Sequence, residues 1–318
     1  MQKEDSIYII GAGAIGKALA TFLKLEGKEV VIIRGSVDHK PVHTEKVRVE
    51  LPGKTTVEAE IEINTASNFS ALNGIVVFTN KSFGNQHLAA TLKTKINNSP
   101  ILILQNGLNI EQPFIDAGYP EIYRCVLFAT CQFLLPNVLR FKPVAASPIG
   151  SIKGSGDNLN AVAGQVNNRH FQFRAEENIQ PLIWTKTIVN CIFNSVCPLL
   201  ETDNGIFHRN QNALHIAERV IAGCVAVAES KGIYLKEDEV MNTLLSISQS
   251  SDGQLISTYQ DIMNKRRTEI ETLNFAIADS ANTSEQAGAV IETRLLGELV
   301  KLKSELSMDL PVYPVAGK

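Results

Sequence analysis

Ser6-Ile-Tyr-Ile-Ile-Gly11-Ala-Gly13-Ala-Ile-Gly16-Lys-Ala-Leu-Ala20 is the stretch whose reading decides the fold. The apolar run Ile7 to Ile10 stops at Gly11, and Ile15, Leu19, Phe22 and Leu23 then recur at helical spacing over residues 14–26. Gly27 punctuates, and Glu29-Val-Val-Ile-Ile33 reads as a second buried strand. Strand, glycine turn, helix and strand within about 30 residues make one βαβ unit. In that setting Gly11-x-Gly13-x-x-Gly16 has the form of a dinucleotide-binding loop. Gly11 permits the tight turn, Gly13 lets backbone approach a pyrophosphate, and Gly16 allows the helix to pack closely on the strand. The whole loop, Gly11, Ala12, Gly13, Ala14, Ile15 and Gly16, brings unpaired N–H groups and partial positive charge to the phosphates. The second strand ends in Arg34-Gly35-Ser36, where an NAD-binding chain carries an acid for the ribose 2′-hydroxyl. A cation and a hydroxyl suit a 2′-phosphate instead, which predicts NADP(H); the bland alternative is that Arg34 is a surface charge.

Outward from this unit, Val47, Val49 and Leu51 alternate, Pro52-Gly53-Lys54 turns, and Val57, Ala59, Ile61 and Ile63 alternate again. That predicts a hairpin with one exposed face. Apolar runs at 74–78 and 101–104 read as parallel strands, with further strands at 123–130, 137–142 and 146–152 and a loop over 154–158. After residue 178 strand signals nearly vanish, and 180–200, 211–231, 236–249, 258–280 and 285–306 carry helical periodicity. The expected fold is an α/β Rossmann-type dinucleotide-binding domain over 1–178 and an all-α C-terminal domain over 179–318.

The 318 residues are 44% hydrophobic and 20% charged, which excludes a disordered chain. A net charge of -3 gives no global field for a polyanion, so no nucleic-acid partner is expected. The five cysteines are odd in number and form no C-x-x-C pair, so neither a metal site nor a disulfide framework is expected. A reducing, cytoplasmic compartment follows as the expectation. No apolar run approaches the ~20 residues of a membrane span. Ile7 to Ala20 does not read as a signal peptide, because Glu4 and Asp5 offset Lys3 and Lys17 interrupts the run. The expected partner is a small molecule, and both a monomer and a homodimer stay open.

Residues 184–197 form a helix whose apolar face is Ile188, Val189, Ile192, Phe193 and Val196. Lys186, Asn190 and Asn194 follow at i, i+4 and i+8, within one narrow sector beside that face. Asparagine is a poor helix former, so two of them in line with an ammonium ask for a reason. A site for a small oxygen-rich ligand is one reading, and a solvated face is the other.

Together these motifs resemble the ketopantoate reductase family over nearly the whole chain. The resemblance rests on the glycine loop with Arg34, Thr79-Asn80-Lys81, Gln105-Asn106-Gly107, Ile183-Trp184-Thr185-Lys186 with Asn190 and Asn194, Asp203-Asn204-Gly205, Ser257-Thr-Tyr-Gln-Asp261 and Arg267-Thr-Glu269-Ile. It implies an NADPH-dependent oxidoreductase that reduces 2-dehydropantoate to pantoate, in pantothenate and coenzyme A biosynthesis. It also implies Lys186 as the general acid and Asn190, Asn194, Asn204 and Ser257 as substrate contacts. Lys81 would lie at the cofactor, Asn106 at cofactor and substrate, and Glu269 would be a second catalytic residue touching both. A sister 2-oxo acid reductase with a different pocket, and a non-catalytic NADP(H)-binding module, are the competing readings; a module has no need of a proton donor. The chain departs from the family's pattern at Thr130-Cys131-Gln132-Phe133, at the neighbours Asn80 and Gln105, and in its last helix. Ser257 and Gln260 also fit a capping box. On one straight helix Ser257 and Glu269 would diverge by roughly 120°. Glu269 has the alternative of pairing with Lys265 or Arg266 on a helix surface, and Lys81 that of a strand-end surface lysine.

Overall fold

A computed structural model describes residues 6–35, 40–281 and 286–308; Ser36, read above with Arg34, lies outside them. The chain divides into two compact units. One holds the described residues to Asn106 and Ile110–Ile179, the other Gly107–Asn109 and the described residues from Gln180 onward.

The first unit is built on an 11-stranded sheet. Its strands are β1 (Ile7–Ile10), β2 (Val30–Ile33), β3 (His43–Glu50), β4 (Thr56–Asn64), β5 (Ile75–Phe78), β6 (Ile101–Ile103), β7 (Ile122–Cys125), β8 (Ala129–Leu135), β9 (Val138–Pro143), β10 (Ser147–Lys153) and β11 (Phe173–Ala175). They lie in the order β11-β10-β7-β6-β5-β1-β2-β4-β3-β9-β8. β1 pairs in parallel with β2 on one side (Ile7↔Val30) and β5 on the other (Ile7↔Ile75). β1 is therefore the strand at which the winding reverses, the place where open α/β sheets bind ligands.

These central strands read as unbroken aliphatic runs because both of their faces are covered. Ile7, Ile9, Ile75 and Val77 share one apolar cluster with Leu19, Phe22 and Leu23 of α1 (Ala14–Leu25). Tyr8, Ile10, Val76 and Phe78 share another with Leu88 and Leu92 of α2 (Asn85–Ile96). Burying each such side chain stabilises the unit by about 1.5–3 kcal/mol.

β3 and β4 pair antiparallel from His43↔Ile63 to Glu50↔Thr56, around a turn in which Gly53 takes φ +77°. The predicted strand over 123–130 is two strands. β7 joins the parallel core, and β8 pairs with β9 at the far end of the sheet. Between them the Phe128 N–H donates to Ser147 Oγ rather than to a ladder partner. The short helices α3 (Gln112–Asp116) and α4 (Leu159–Val166) and the strand β11, at five, eight and three residues, are too short to carry a legible periodicity, and α2 was not predicted either.

The second unit is helical: α5 (Gln180–Leu199), α6 (Ile206–Arg209), α7 (Gln211–Ser230), α8 (Glu237–Ser250), α9 (Ser257–Met263), α10 (Asn274–Ala281) and α11 (Ile291–Ser307). α5 is long and apolar enough to cross a membrane, contrary to the sequence expectation, with a mean hydropathy of 1.2. Since 72% of that stretch is buried inside the protein, it is a core helix. The helix predicted over 258–280 is broken. α9 stops at Met263, Lys265 takes φ +53° as the Arg266 N–H turns back to the Asp261 carbonyl, and only a 3-10 turn at Ile270–Thr272 precedes α10. The polar run Asn264-Lys-Arg-Arg267 gives a continuous helix nothing to bury. Ser257 and Glu269 therefore do not share one straight helix.

Candidate active site

In the first unit the three loop glycines do not share one reason to be glycine. Gly11 has φ +115°, and a Cβ there would stand 2.7 Å from the Asn80 nitrogen. At Gly16 a Cβ would stand 2.3 Å from the Gly11 carbonyl oxygen and 2.6 Å from Thr79 Oγ1. At Gly13 it would meet no atom within 4 Å. The first two glycines let the chain pack on itself, and the third opens a space against backbone. Gly13 caps α1 with extended backbone, no side chain caps it, and no acid sits in the first turn. The first-turn N–H groups thus keep their positive end for an anion. Thr79 Oγ1 donates to the carbonyls of Ile10 and Gly11 at 3.2 and 3.1 Å, lashing the end of β5 to the loop. Cys131, the departure noted on β8, places Sγ 3.4 Å from the Ala14 carbonyl, and burial pushes its thiol up to about 12. It supports the loop as a neutral packing group.

Arg34 sits at the end of β2 and donates to His43 Nδ1 at 2.6 Å. A guanidinium only donates, so Nδ1 accepts and the Nε2–H of the imidazole donates to Glu45 Oε1 at 2.8 Å. Glu45 in turn holds Lys17 of α1, whose ammonium also reaches Asn137 Oδ1 at 2.6 Å. Burial pushes the Glu45 carboxyl upward, but the hydrogen bonds from Lys17 and His43 outweigh it and hold the group below its ordinary value. Arg34 NH1 is buried and has no partner among the described residues. Sequence reasoning missed His43, Glu45 and Lys17 as supports. The signal was available, because residues i and i+2 of a strand share a face.

Asn80 and Gln105, the other departures, are joined through Asn85. The Gln105 amide donates to the Asn80 carbonyl and to Asn85 Oδ1, both at 2.8 Å, and Asn85 donates back to Gln105 Oε1 at 2.7 Å. This buried network fixes the backbone next to the exposed Lys81 and Asn106.

In the second unit Lys186, Asn190 and Asn194 follow one another along α5, the first two half-buried and Asn194 buried. Asn194 Oδ1 accepts from Ser257 Oγ and from the Thr258 N–H, both at 3.3 Å, and its amide donates to the Asn190 carbonyl at 2.9 Å. The structure thus brings Asn194 and Ser257 together, with Asn190 one turn before Asn194 on α5. Ser257 is not a capping residue: Ile256 occupies the N-cap without a side-chain bond, and the Gln260 amide donates to the Leu255 carbonyl.

Asn204 is buried against the end of α8. Its amide donates to Ser251 Oγ at 3.1 Å, its carbonyl accepts from Ser248, and its Oδ1 is buried with no partner among the described residues. Glu269 is half-buried just before the 3-10 turn. At the end of that turn the Thr272 carbonyl accepts the Leu108 N–H at 2.9 Å. Gly107 has φ +110°, and a Cβ there would stand 2.5 Å from the same carbonyl. The glycine after Asn106 is thus required by contact with the Glu269 segment.

Among the described residues there is no cluster of metal-ligating side chains. A groove of about 440 Å³ beside the β3–β4 turn, lined by Leu51, Lys54, Arg140 and Lys142 among others, contains none of the predicted site residues.

Two family models match the chain: the one described as ketopantoate reductase PanE/ApbA over residues 7–152, and its C-terminal counterpart over residues 178–304. A 2-dehydropantoate 2-reductase of Pyrococcus horikoshii is 27% identical over 304 residues, covering 94% of this chain and 98% of that one. The enzyme of that name from Halobacterium salinarum is 25% identical over 301 residues, covering 93% and 98%. Similar solved structures include a PanE/ApbA family ketopantoate reductase from Ralstonia eutropha (TM-score 0.79, 23% identity, 95% of this chain and 99% of that one). A D-mandelate dehydrogenase with NADH and anilino(oxo)acetate has a TM-score of 0.81 at 23% identity, with the same coverage. A dimeric ketopantoate reductase from Staphylococcus aureus has a TM-score of 0.76 at 18% identity, again with that coverage. At these identities the solved structures speak for the fold.

Proposed function

Since the chain belongs to the ketopantoate reductase family, we propose that it reduces 2-dehydropantoate to pantoate with NADPH. The observation that carries this reading is the α5 row of Lys186, Asn190 and Asn194, with Asn194 tied to Ser257. We assign dinucleotide binding to residues 1–178 and substrate binding to residues 179–318. The residues present fit the cofactor: an open Gly13, an uncapped α1 N-terminus, and at Arg34 a buried nitrogen with no partner among the described residues. Arg34 takes the 2′-phosphate, and Lys81 and Asn106 bind elsewhere on the dinucleotide.

NADPH, when bound, supplies the hydride that reduces the 2-oxo carbon. Negative charge then grows on the carbonyl oxygen, and the Lys186 ammonium stabilises it and delivers the proton. Asn190, Asn194 and Ser257 orient the carboxylate and hydroxyl of the substrate through neutral groups, without altering the charge balance around Lys186. Asn204 adds an acceptor through its Oδ1, which has no partner among the described residues. We assign Asn106 and Glu269 each a contact to cofactor and substrate.

The test is loss of reduced-nicotinamide absorbance with a panel of 2-oxo acids that includes 2-dehydropantoate, on the wild type and on Lys186→Ala. Selective turnover of 2-dehydropantoate, lost by about 10²-fold or more in kcat without a change in NADPH affinity, is the expected result. Unchanged turnover in Lys186→Ala overturns the proton-donor role. A second reading, a sister 2-oxo acid reductase, is favoured by the likeness to D-mandelate dehydrogenase; selective turnover of another panel member would establish it. We extend self-association to this chain from the relative described as dimeric.

A further inference from the structure

α11 wears its apolar side outward. Its buried positions are Thr293, Gly297, Val300 and Ser304, small or polar residues that let it lie close on α10. A Cβ at Gly297 would stand 2.8 Å from Asn274 Cβ. The opposite face carries Ile291, Leu295, Leu299, Leu302 and Leu306, exposed at 64%, 52%, 43%, 49% and 58%. At 3.6 residues per turn these five fall within a sector of about 80°. A surface helix normally turns its polar side to water, so a continuous apolar stripe over four turns marks an interaction surface.

The residues along one edge of the stripe identify the partner. Arg294, Glu298, Lys301 and Glu305 alternate in sign along that edge. When a helix meets its own copy antiparallel about a two-fold axis, the same edge of each faces the other, with the sequence running in opposite directions. With the axis beside Leu299, Arg294 meets the partner's Glu305 and Glu298 meets the partner's Lys301, while Leu299 packs on the partner's Leu299 and Leu295 on the partner's Leu302. Every charge on the edge finds its opposite in this register. Arg294 and Lys301 also touch Asp279 and Glu271 of their own chain, at 2.8 and 3.7 Å, with side chains 36% and 47% exposed, so both remain accessible. We propose that α11 is the homodimer interface of this protein, two copies pairing antiparallel across Leu299. The proposal rests on the self-association put forward above and gives it a surface and a register.

The test is the solution mass of the full chain by sedimentation, with NADPH oxidation as the check that each variant is folded. The wild type is expected to be dimeric and Leu299→Glu monomeric. Glu298→Lys, which sets like charges across the axis, is expected to weaken the dimer at least about tenfold, and adding Lys301→Glu to the same chain to restore it. Under mild oxidation Leu299→Cys should cross-link to its own copy. Leu295→Cys should cross-link only when mixed with Leu302→Cys. A wild type that is monomeric at every concentration overturns self-association and this interface together, whatever else covers the stripe. A dimer that survives Leu299→Glu overturns the interface alone. Cross-linking of Leu295→Cys to itself overturns the antiparallel register.

Discussion

Arg34 is aimed by its neighbours as much as by its own backbone. It donates to His43, that contact passes through Glu45 to Lys17, and one buried guanidinium nitrogen has no partner among the described residues. Arg34→Ala is therefore expected to weaken NADPH far more than NADH in a fluorescence titration, and equal losses would remove the 2′-phosphate role. His43→Ala should weaken NADPH about tenfold, the worth of a hydrogen bond to a charged group. His43→Gln retains an acceptor and a donor and should recover most of that loss; no difference between the two variants would end the relay argument. Glu45 sets a pH dependence of known sign. Its folded-state pKa lies below the ordinary value, so its contribution to stability is full above the ordinary carboxylate pKa and is lost as pH falls through the lowered one. Urea midpoints of the wild type should fall more steeply on acidification than those of Glu45→Gln, and parallel curves would contradict the assignment.

The glycine loop separates folding from binding at the level of the βαβ element. At Gly16 a new Cβ collides with backbone that cannot yield, and Gly16→Ala should cost about 1–3 kcal/mol, read as a lowered Tm. At Gly13 the same addition meets nothing in the protein, so Gly13→Ala should leave Tm unchanged and reduce NADPH affinity. A Gly13→Ala variant with lowered Tm and normal affinity would reverse the two roles. This element was legible because strand period, turn glycines and helix period agree within one short stretch. The β3–β4 hairpin was legible for the same reason. The helix over 258–280 was misread because apolar spacing resumes on both sides of Asn264-Lys-Arg-Arg267, and only the backbone reversal at Lys265 shows the break. α2 was missed because Asn85, Gln86 and His87 open it with polar residues, and the first of its five buried positions, Asn85, is spent on the network with Gln105. The α5 row was read as a row. Its tie to Ser257 was not, since the contact spans 63 residues and depends on packing that no local pattern records.

Across the whole chain the five thiols report separately on the two units. Cys125 and Cys131 belong to the unit with the glycine loop, and Cys191, Cys197 and Cys224 to the helical unit. Burial pushes Cys131, Cys197 and Cys224 up to about 12 and raises Cys191 as well, so almost none of these four is thiolate at pH 8. Cys125 is itself buried. Alkylation of the four buried thiols, Cys125, Cys191, Cys197 and Cys224, must then wait for local opening, and its rate at each follows the free energy of that opening; Cys131 is half-buried and is slowed by its raised pKa instead. A ligand that binds only the closed form of one unit stabilises that unit by about 2.7 kcal/mol at a hundredfold excess over Kd. With NADPH held by the glycine loop and Arg34, alkylation of Cys125, followed by mass spectrometry, should slow about a hundredfold. Cys191, Cys197 and Cys224 should slow much less. Equal slowing at Cys125 and at the helical three would mean that the units open as one. Slowing confined to the helical three would move the cofactor off the glycine loop, and with it the role given to Arg34.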